Sequence, residues 1–115
     1  MESLTLAKEI AKAFESKIGT DIMVLKVEGL TTLADYFVLA TGSSTTQVRA
    51  LADEAEDRVI KLGLPAPRLE GKGGDSWILL DCREVVAHVF TEQARDFYNL
   101  EKLWADAEKV PLDEI

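Results

Sequence analysis

Histidine occurs once in the 115-residue sequence, as His88, and cysteine once, as Cys82. One imidazole cannot build a paired-histidine metal site, and it leaves most acid–base relays without a second member. Cys82 falls in an expected turn with no histidine beside it in sequence, so nothing there favours a thiolate, and it reads as a bystander thiol. A Ser-His-Asp triad would need His88 at a cleft beside an activated serine, and no spacing in the chain supports one. The glycines around Lys72, from Gly71 to Gly74, lack phosphate-loop spacing and read as a hairpin tip. No catalytic residue, metal ligand set or cofactor motif emerges, and the expected mode of action is binding.

One arrangement keeps an enzymatic alternative open. Gly42-Ser43 follows an expected strand and precedes an expected helix, which resembles the glycine-serine turn of nucleotidyltransferases. In those enzymes two carboxylates on a neighbouring strand hold divalent metals that activate the attacking oxygen. Here Asp35 begins a strand and Asp81 ends one, and neither has a spaced acidic partner. The plainer reading of the turn is a strand break followed by a helix cap.

The elements that position these residues follow from periodicity. Leu4, Ala7, Ile10, Ala11, Phe14 and Ile18 recur at helical spacing, with Ser3 as the expected N-cap and Gly19 as the stop. Residues 21–27 and 35–41 read as strands, the first carrying the continuous apolar run Ile22 to Leu25 that suits a strand covered on both faces. Ser44 with Gln47 resembles a capping box, opening a helix that aligns Val48, Leu51, Ala52, Ala55, Val59 and Leu62 before Gly63 ends it. Arg68-Leu69-Glu70 after Pro67 reads as a short edge strand. Residues 77–81 and 85–90 form an expected hairpin around Cys82-Arg83-Glu84. A helix over 92–103 follows, with Thr91 as its cap. The predicted order is α-β-β-α-β-β-β-α, an α/β fold built on a mixed sheet with the two long helices on one face. Residues 1–107 are expected to form one domain and 108–115 a flexible tail.

Strand side chains alternate between faces. With a two-residue turn, Ile78 and Leu80 share a face with Val85, Ala87 and Val89, a purely apolar set assigned to the helix-covered core. Trp77, Leu79 and Asp81 share the other with Val86, His88 and Phe90. Rings, aliphatics, a carboxylate and an imidazole together suit a partner surface. The same set would be core if the last helix folds over it, and parity leaves both readings standing. Phe97, Leu100, Leu103 and Trp104 lie at helical spacing as well, as a core stripe or as interface anchors.

Composition narrows the partner. Apolar residues make up 47% of the chain, enough for a real core. Net charge is −8, from 21 acidic and 13 basic residues, which disfavours coating of nucleic acid and suits a basic protein partner, or serves solubility alone. No apolar run approaches the roughly 20 residues of a membrane span. Glu2, Lys8, Glu9 and Lys12 interrupt the N-terminus, unlike a signal peptide, and the lone cysteine fits a reducing cytoplasm.

Three groups of residues, in order and with compatible spacing, resemble the ribosomal silencing factors (the Iojap-related family). They are Leu33-Ala34-Asp35-Tyr36-Phe37-Val38 with Thr41-Gly42-Ser43 and Gln47-Val48; Arg68-Leu69-Glu70-Gly71 with Trp77-Ile78-Leu79-Leu80-Asp81; and Val85 to Phe90 with Arg95 to Ala107. The resemblance implies a nucleotidyltransferase-like fold without the catalytic carboxylates. It implies binding to a large-subunit ribosomal protein at the subunit interface, steric exclusion of the small subunit, and lowered translation when nutrients are scarce. It also implies homodimers in solution, and, in organellar relatives, large-subunit assembly; the lack of a transit peptide points to the bacterial type. Relatives often carry a glycine in the hairpin turn, where Cys82-Arg83-Glu84 stand here, so the turn geometry stays open. On this reading Trp77, Leu79, Asp81 and His88 form the docking face, joined by Tyr98 and Asn99, with Glu70 as a further acidic contact. Trp77 is the expected anchor and Asp81 the expected partner of a Lys or Arg. A self-associating scaffold that buries Trp77 against a second copy is the remaining alternative.

Overall fold

The computed structural model describes residues 1–72 and 76–112. The described residues form four helices and six strands, in the order α1 (Ser3–Ser16), β1 (Thr20–Lys26), β2 (Tyr36–Gly42), α2 (Thr45–Lys61), β3 (Arg68–Lys72), β4 (Trp77–Asp81), β5 (Val85–Thr91), α3 (Glu92–Tyr98), α4 (Leu100–Leu103) and β6 (Glu108–Val110). The strands form one sheet in the order β3-β4-β5-β2-β1-β6. Among the described strands, β2 and β5 run parallel and the other neighbours are antiparallel. The sheet is thus mixed, as expected, and β3 takes the edge that Pro67 and its brevity called for.

Stripes on α1 (Leu6, Ala7, Ile10, Ala11, Phe14) and α2 (Val48, Leu51, Ala52, Ala55, Val59) close over one face of the sheet. Beneath them lie Val24, Val38, Ala40, Ile78, Leu80, Val85, Ala87 and Val89. The apolar set of the β4–β5 hairpin therefore faces the two long helices. The hairpin pairs Asp81 with Val86 and Ile78 with Val89, so Arg83 and Glu84 form a two-residue turn. Arg83 has φ 74°. Glycine is favoured at such a position, and the Asp81 carboxylate oxygen offsets the strain by accepting from the Arg83 amide at 2.9 Å.

The opposite face carries a second, smaller core: Leu25, Val27, Ala34, Phe37, Leu39, Phe90, Ala94 and Ala107, with Trp77, Val86, Leu100 and Trp104 packed against it. β2 lies between β5 and β1 with a core on each side, and it is buried along its whole length.

Four expectations change. Glu2, not Ser3, occupies the N-cap of α1, and no side chain caps it. The end of α1 turns at Ile18 (φ 62°), not at Gly19. Ile18 and Gly19 donate to the Glu15 and Phe14 carbonyls, a Schellman closure in which an isoleucine holds the left-handed position usually given to glycine. Gly19 is needed for space: a Cβ there would stand 3.0 Å from the Phe14 carbonyl oxygen and 3.1 Å from Leu51. The helix expected over 92–103 is two helices, because Asn99 adopts φ 46° and its side chain caps α4 through the Lys102 amide. Finally, Glu108–Val110, expected as a loose tail, pairs with Val24–Lys26 as an edge strand. Three residues of mixed polarity carry no periodic signal, so only the neighbouring strand reveals them. Gly73 and Gly74 of the expected hairpin tip, and the tail beyond Leu112, fall outside the described residues.

The capping box of α2 is present in a modified form. The Ser44 hydroxyl accepts from the Gln47 amide at 3.1 Å, while the Gln47 side chain accepts from Ser43 and donates to the carbonyls of Lys17 and Ile18. Gln47 thereby ties the start of α2 to the end of α1.

Candidate functional site: an aromatic sheet face

Directly paired residues on neighbouring strands share a face. Pairing of Glu70 with Leu79 and of Leu79 with His88 puts these three on the face opposite the long helices. Asp81 stands on the same face beside Arg68 and Val86, and Trp77 beside Phe90. The chain from α3 to β6 crosses this face but packs mainly over β1, β2 and β5, through Ala94, Leu100, Trp104 and Ala107. The side of the face built by β3 and β4 keeps Trp77, Leu79 and Asp81 part-exposed, while Ile78 and Leu80 beneath are sealed. The two readings left open by strand parity are therefore divided within one surface: core at Phe90, Phe37 and Leu39, open at Trp77, Leu79, Asp81 and Glu70.

Trp77 is held from several sides. Its ring lies 5.1 Å from that of Phe90, nearly parallel, and 4.5 Å from that of Tyr98. Its Nε1–H donates to His88 Nδ1 at 3.2 Å. His88, only 5% exposed, lies beneath it and edge-on to Phe37 at 5.1 Å. Burial pushes the His88 pKa down to about 4, so the ring is neutral. With Nδ1 accepting, the proton resides on Nε2, which is buried without a hydrogen-bond partner among the described residues. His88 was expected as a polar contact for a partner. It is instead the support of Trp77, because its strand lies under the aromatic layer rather than at its edge.

Tyr98 is 42% exposed, and its ring continues from Trp77 to Phe97, 5.1 Å further out. Asn99 is exposed and shapes the corner between α3 and α4. Asp81 spends one oxygen on its own turn, and Glu70 is exposed on the edge strand. The expected stripe of Phe97, Leu100, Leu103 and Trp104 does not stay together. The left-handed turn at Asn99 sends Leu100 and Trp104 to the second core and leaves Phe97 81% exposed and Leu103 exposed. Sequence periodicity passed over Arg95, whose buried side chain joins both short helices to the sheet. A charged residue one position from an apolar stripe gives no signal of that role.

The Gly42-Ser43 turn borders a cleft of about 370 Å³ lined by Ser43, Ser44, Thr45, Thr91, Glu92, Gln93 and Asp96. Its two carboxylates come from α3, not from a neighbouring strand, and no group of three His, Cys, Asp or Glu side chains among the described residues could hold a metal. Gly42 has a packing reason: a Cβ there would stand 2.9 Å from the Val48 amide nitrogen. Cys82 is half-buried, and burial, assisted by the Asp81 charge, pushes its thiol up to about 12, away from a reactive thiolate. Among the described residues no helix is long and apolar enough to cross a membrane.

Comparison with known proteins places this geometry. The family described as "Ribosomal silencing factor during starvation" matches residues 1–115. The ribosomal silencing factor of Bacillus subtilis is 40% identical over 113 residues, covering 98% of this chain and 96% of that protein. A crystal structure of a Chromobacterium violaceum protein superposes with a TM-score of 0.87 at 35% identity, covering 91% of this chain and 88% of the other. A mouse protein named for mitochondrial assembly of the ribosomal large subunit is 33% identical over 73% of this chain and 38% of its own length. With the match running the whole length and the fold shared, the chain belongs to the ribosomal silencing factor family.

Proposed function

We propose that this protein binds the large ribosomal subunit through the Trp77 face, docking on a basic ribosomal protein at the subunit interface. The bound domain then blocks joining of the small subunit and represses translation under nutrient limitation. The mechanism is steric and needs no cofactor or bond-making step, and it operates in the cytoplasm.

The observation that carries this reading is the state of Trp77. A large ring is part-exposed yet locked by stacking and by a hydrogen bond to a buried imidazole. A preorganised aromatic anchor loses little entropy on docking, and such residues dominate interface energies. On the same face, Glu70 opposite Leu79 and Asp81 at the far end of β4 supply negative charge for a Lys or Arg on the partner.

Co-sedimentation with purified large subunits, with small subunits present or absent, tests the proposal. The parent chain should travel with large subunits and reduce the fraction of joined particles. Trp77→Ala should weaken that binding by about 2–4 kcal/mol, the range for a buried interface anchor. A parent chain that does not sediment with large subunits would refute the function, and a Trp77→Ala chain that sediments normally would remove the anchor. The mouse relative's name favours a second reading, a part in large-subunit assembly. It uses the same face and predicts enrichment on immature rather than mature large subunits. Association of two copies through this face would show as light scattering that rises with concentration and is lost in Trp77→Ala.

A further inference from the structure

The docking face depends on where α3 and α4 sit, and one side chain ties both to the sheet. Arg95 is 7% exposed. Its Nη1 donates to the Asp21 carbonyl at 2.5 Å and to Thr41 Oγ1 at 2.9 Å. Its Nε lies 3.4 Å from both carboxylate oxygens of Glu101. A buried guanidinium is costly unless its donors are satisfied and its charge is paired. The partners that meet this need come from three elements: the irregular start of β1, the central strand β2, and α4.

Two of the four non-glycine residues with positive φ among those described, Asp21 (48°) and Asn99 (46°), adjoin this node. Such conformations persist where the surroundings over-determine them. The Asp21 carbonyl accepts from the Arg95 guanidinium, and the Asn99 amide donates to the Arg95 carbonyl at 2.9 Å. Between Arg95 and Glu101 the chain passes through Phe97, Tyr98 and Asn99, so the ion pair closes that corner from behind. Tyr98 leaves the corner to meet Trp77 at 4.5 Å. The start of α3 is secured independently, by the Thr91 hydroxyl accepting from the Ala94 amide and by burial of Ala94. The bonds of Arg95 therefore act on the far end of α3 and on its junction with α4.

We infer that Arg95 is a positioning residue for the docking face, holding the Tyr98–Asn99 corner against Trp77 through Asp21, Thr41 and Glu101. The inference rests on the Trp77 face being the docking surface. Arg95 itself touches no partner; it acts through Tyr98 and Asn99.

The test uses the full chain with Arg95→Gln, which keeps part of the stem but loses the charge and the fork, and Glu101→Gln, which leaves the bonds to Asp21 and Thr41 in place. Three quantities are read: the thermal midpoint, the nuclear Overhauser contacts between the Tyr98 ring and the Trp77 indole, and co-sedimentation with large subunits. Arg95→Gln is expected to lose the Tyr98–Trp77 contacts and to weaken subunit binding on the order of 10-fold. Arg95→Lys should not restore either, because an ammonium cannot span the carbonyl, the hydroxyl and the carboxylate at once. Retained Tyr98–Trp77 contacts in a folded Arg95→Gln chain would overturn the inference, as would parental binding in a chain that has lost them. Should Arg95→Gln fail to fold, Glu101→Gln decides by the same two readouts. A parent chain that does not sediment sinks the docking reading, a result separate from the ring contacts that report on Arg95.

Discussion

Acidification should destabilise this protein through one residue. His88 is buried, neutral and acts as an acceptor toward Trp77, with its pKa pushed from 6.5 down to about 4. The unfolded chain takes up a proton near pH 6.5, and the folded chain does not until about pH 4. The unfolded state therefore binds more protons across that window, and stability falls as pH falls through it. Taking those two values, the loss between pH 7 and pH 5 is about 2 kcal/mol, and over the full window about 3 kcal/mol. That is a large share of the roughly 5–15 kcal/mol typical of a domain. The assay is urea unfolding of the parent and of His88→Leu at pH 7, 6 and 5, read as the difference between the two chains so that the carboxylates cancel. The parent should lose about 2 kcal/mol more than His88→Leu from pH 7 to pH 5. Parallel pH profiles would refute the assignment of His88 as a buried neutral acceptor. Trp77→Phe adds a second check. Removing the indole N–H leaves both His88 nitrogens unpartnered and should cost about 1–2 kcal/mol at pH 7, whereas the same change in the His88→Leu background should cost less, because replacing both partners strands no buried polar atom.

Further changes probe the fold that carries the face. Ile18→Gly should stabilise by about 1 kcal/mol in thermal unfolding, since relief of a left-handed β-branched residue outweighs the added freedom of the unfolded chain. Arg83→Gly should act in the same direction by about 0.5 kcal/mol, because Arg83 also holds a positive φ. Gly42→Ala should cost about 1–3 kcal/mol, because the new methyl meets the Val48 amide and side chain at 2.9 and 3.0 Å. Phe97→Ser should leave the unfolding midpoint within about 0.5 kcal/mol of the parent, as expected for a ring that is 81% exposed, and a larger loss would show the ring to be structural.

Much of this protein was legible in the order of its residues. Helical stripes on residues 3–16 and 45–61 and alternation along 77–81 and 85–91 followed from local periodicity, and the edge placement of β3 from Pro67 and its brevity. The division of the hairpin into an all-apolar and a mixed face needed only alternation and a two-residue turn, and both are present. One histidine and one cysteine left binding as the expected mode, and three ordered groups of residues pointed to the family that the comparisons then showed.

What the sequence left open depended on contacts between segments distant in the chain. Parity could not tell whether Trp77 was core or surface, because that is settled by where α3, α4 and Trp104 come to rest: mainly over β1, β2 and β5, meeting β4 through Tyr98 against Trp77. The break at Asn99 divided an apparent stripe of four apolar residues into two buried and two exposed members, since a left-handed residue redirects the chain whatever the spacing on either side. β6 exists because β1 offers it an edge, and Arg95 is buried because Asp21 and Thr41, far away in sequence, present oxygens to it. Local spacing thus determined the elements and the face on which a partner would be sought. Tertiary packing alone decided which of those rings stay in water, because burial is a property of neighbours and not of the residue itself.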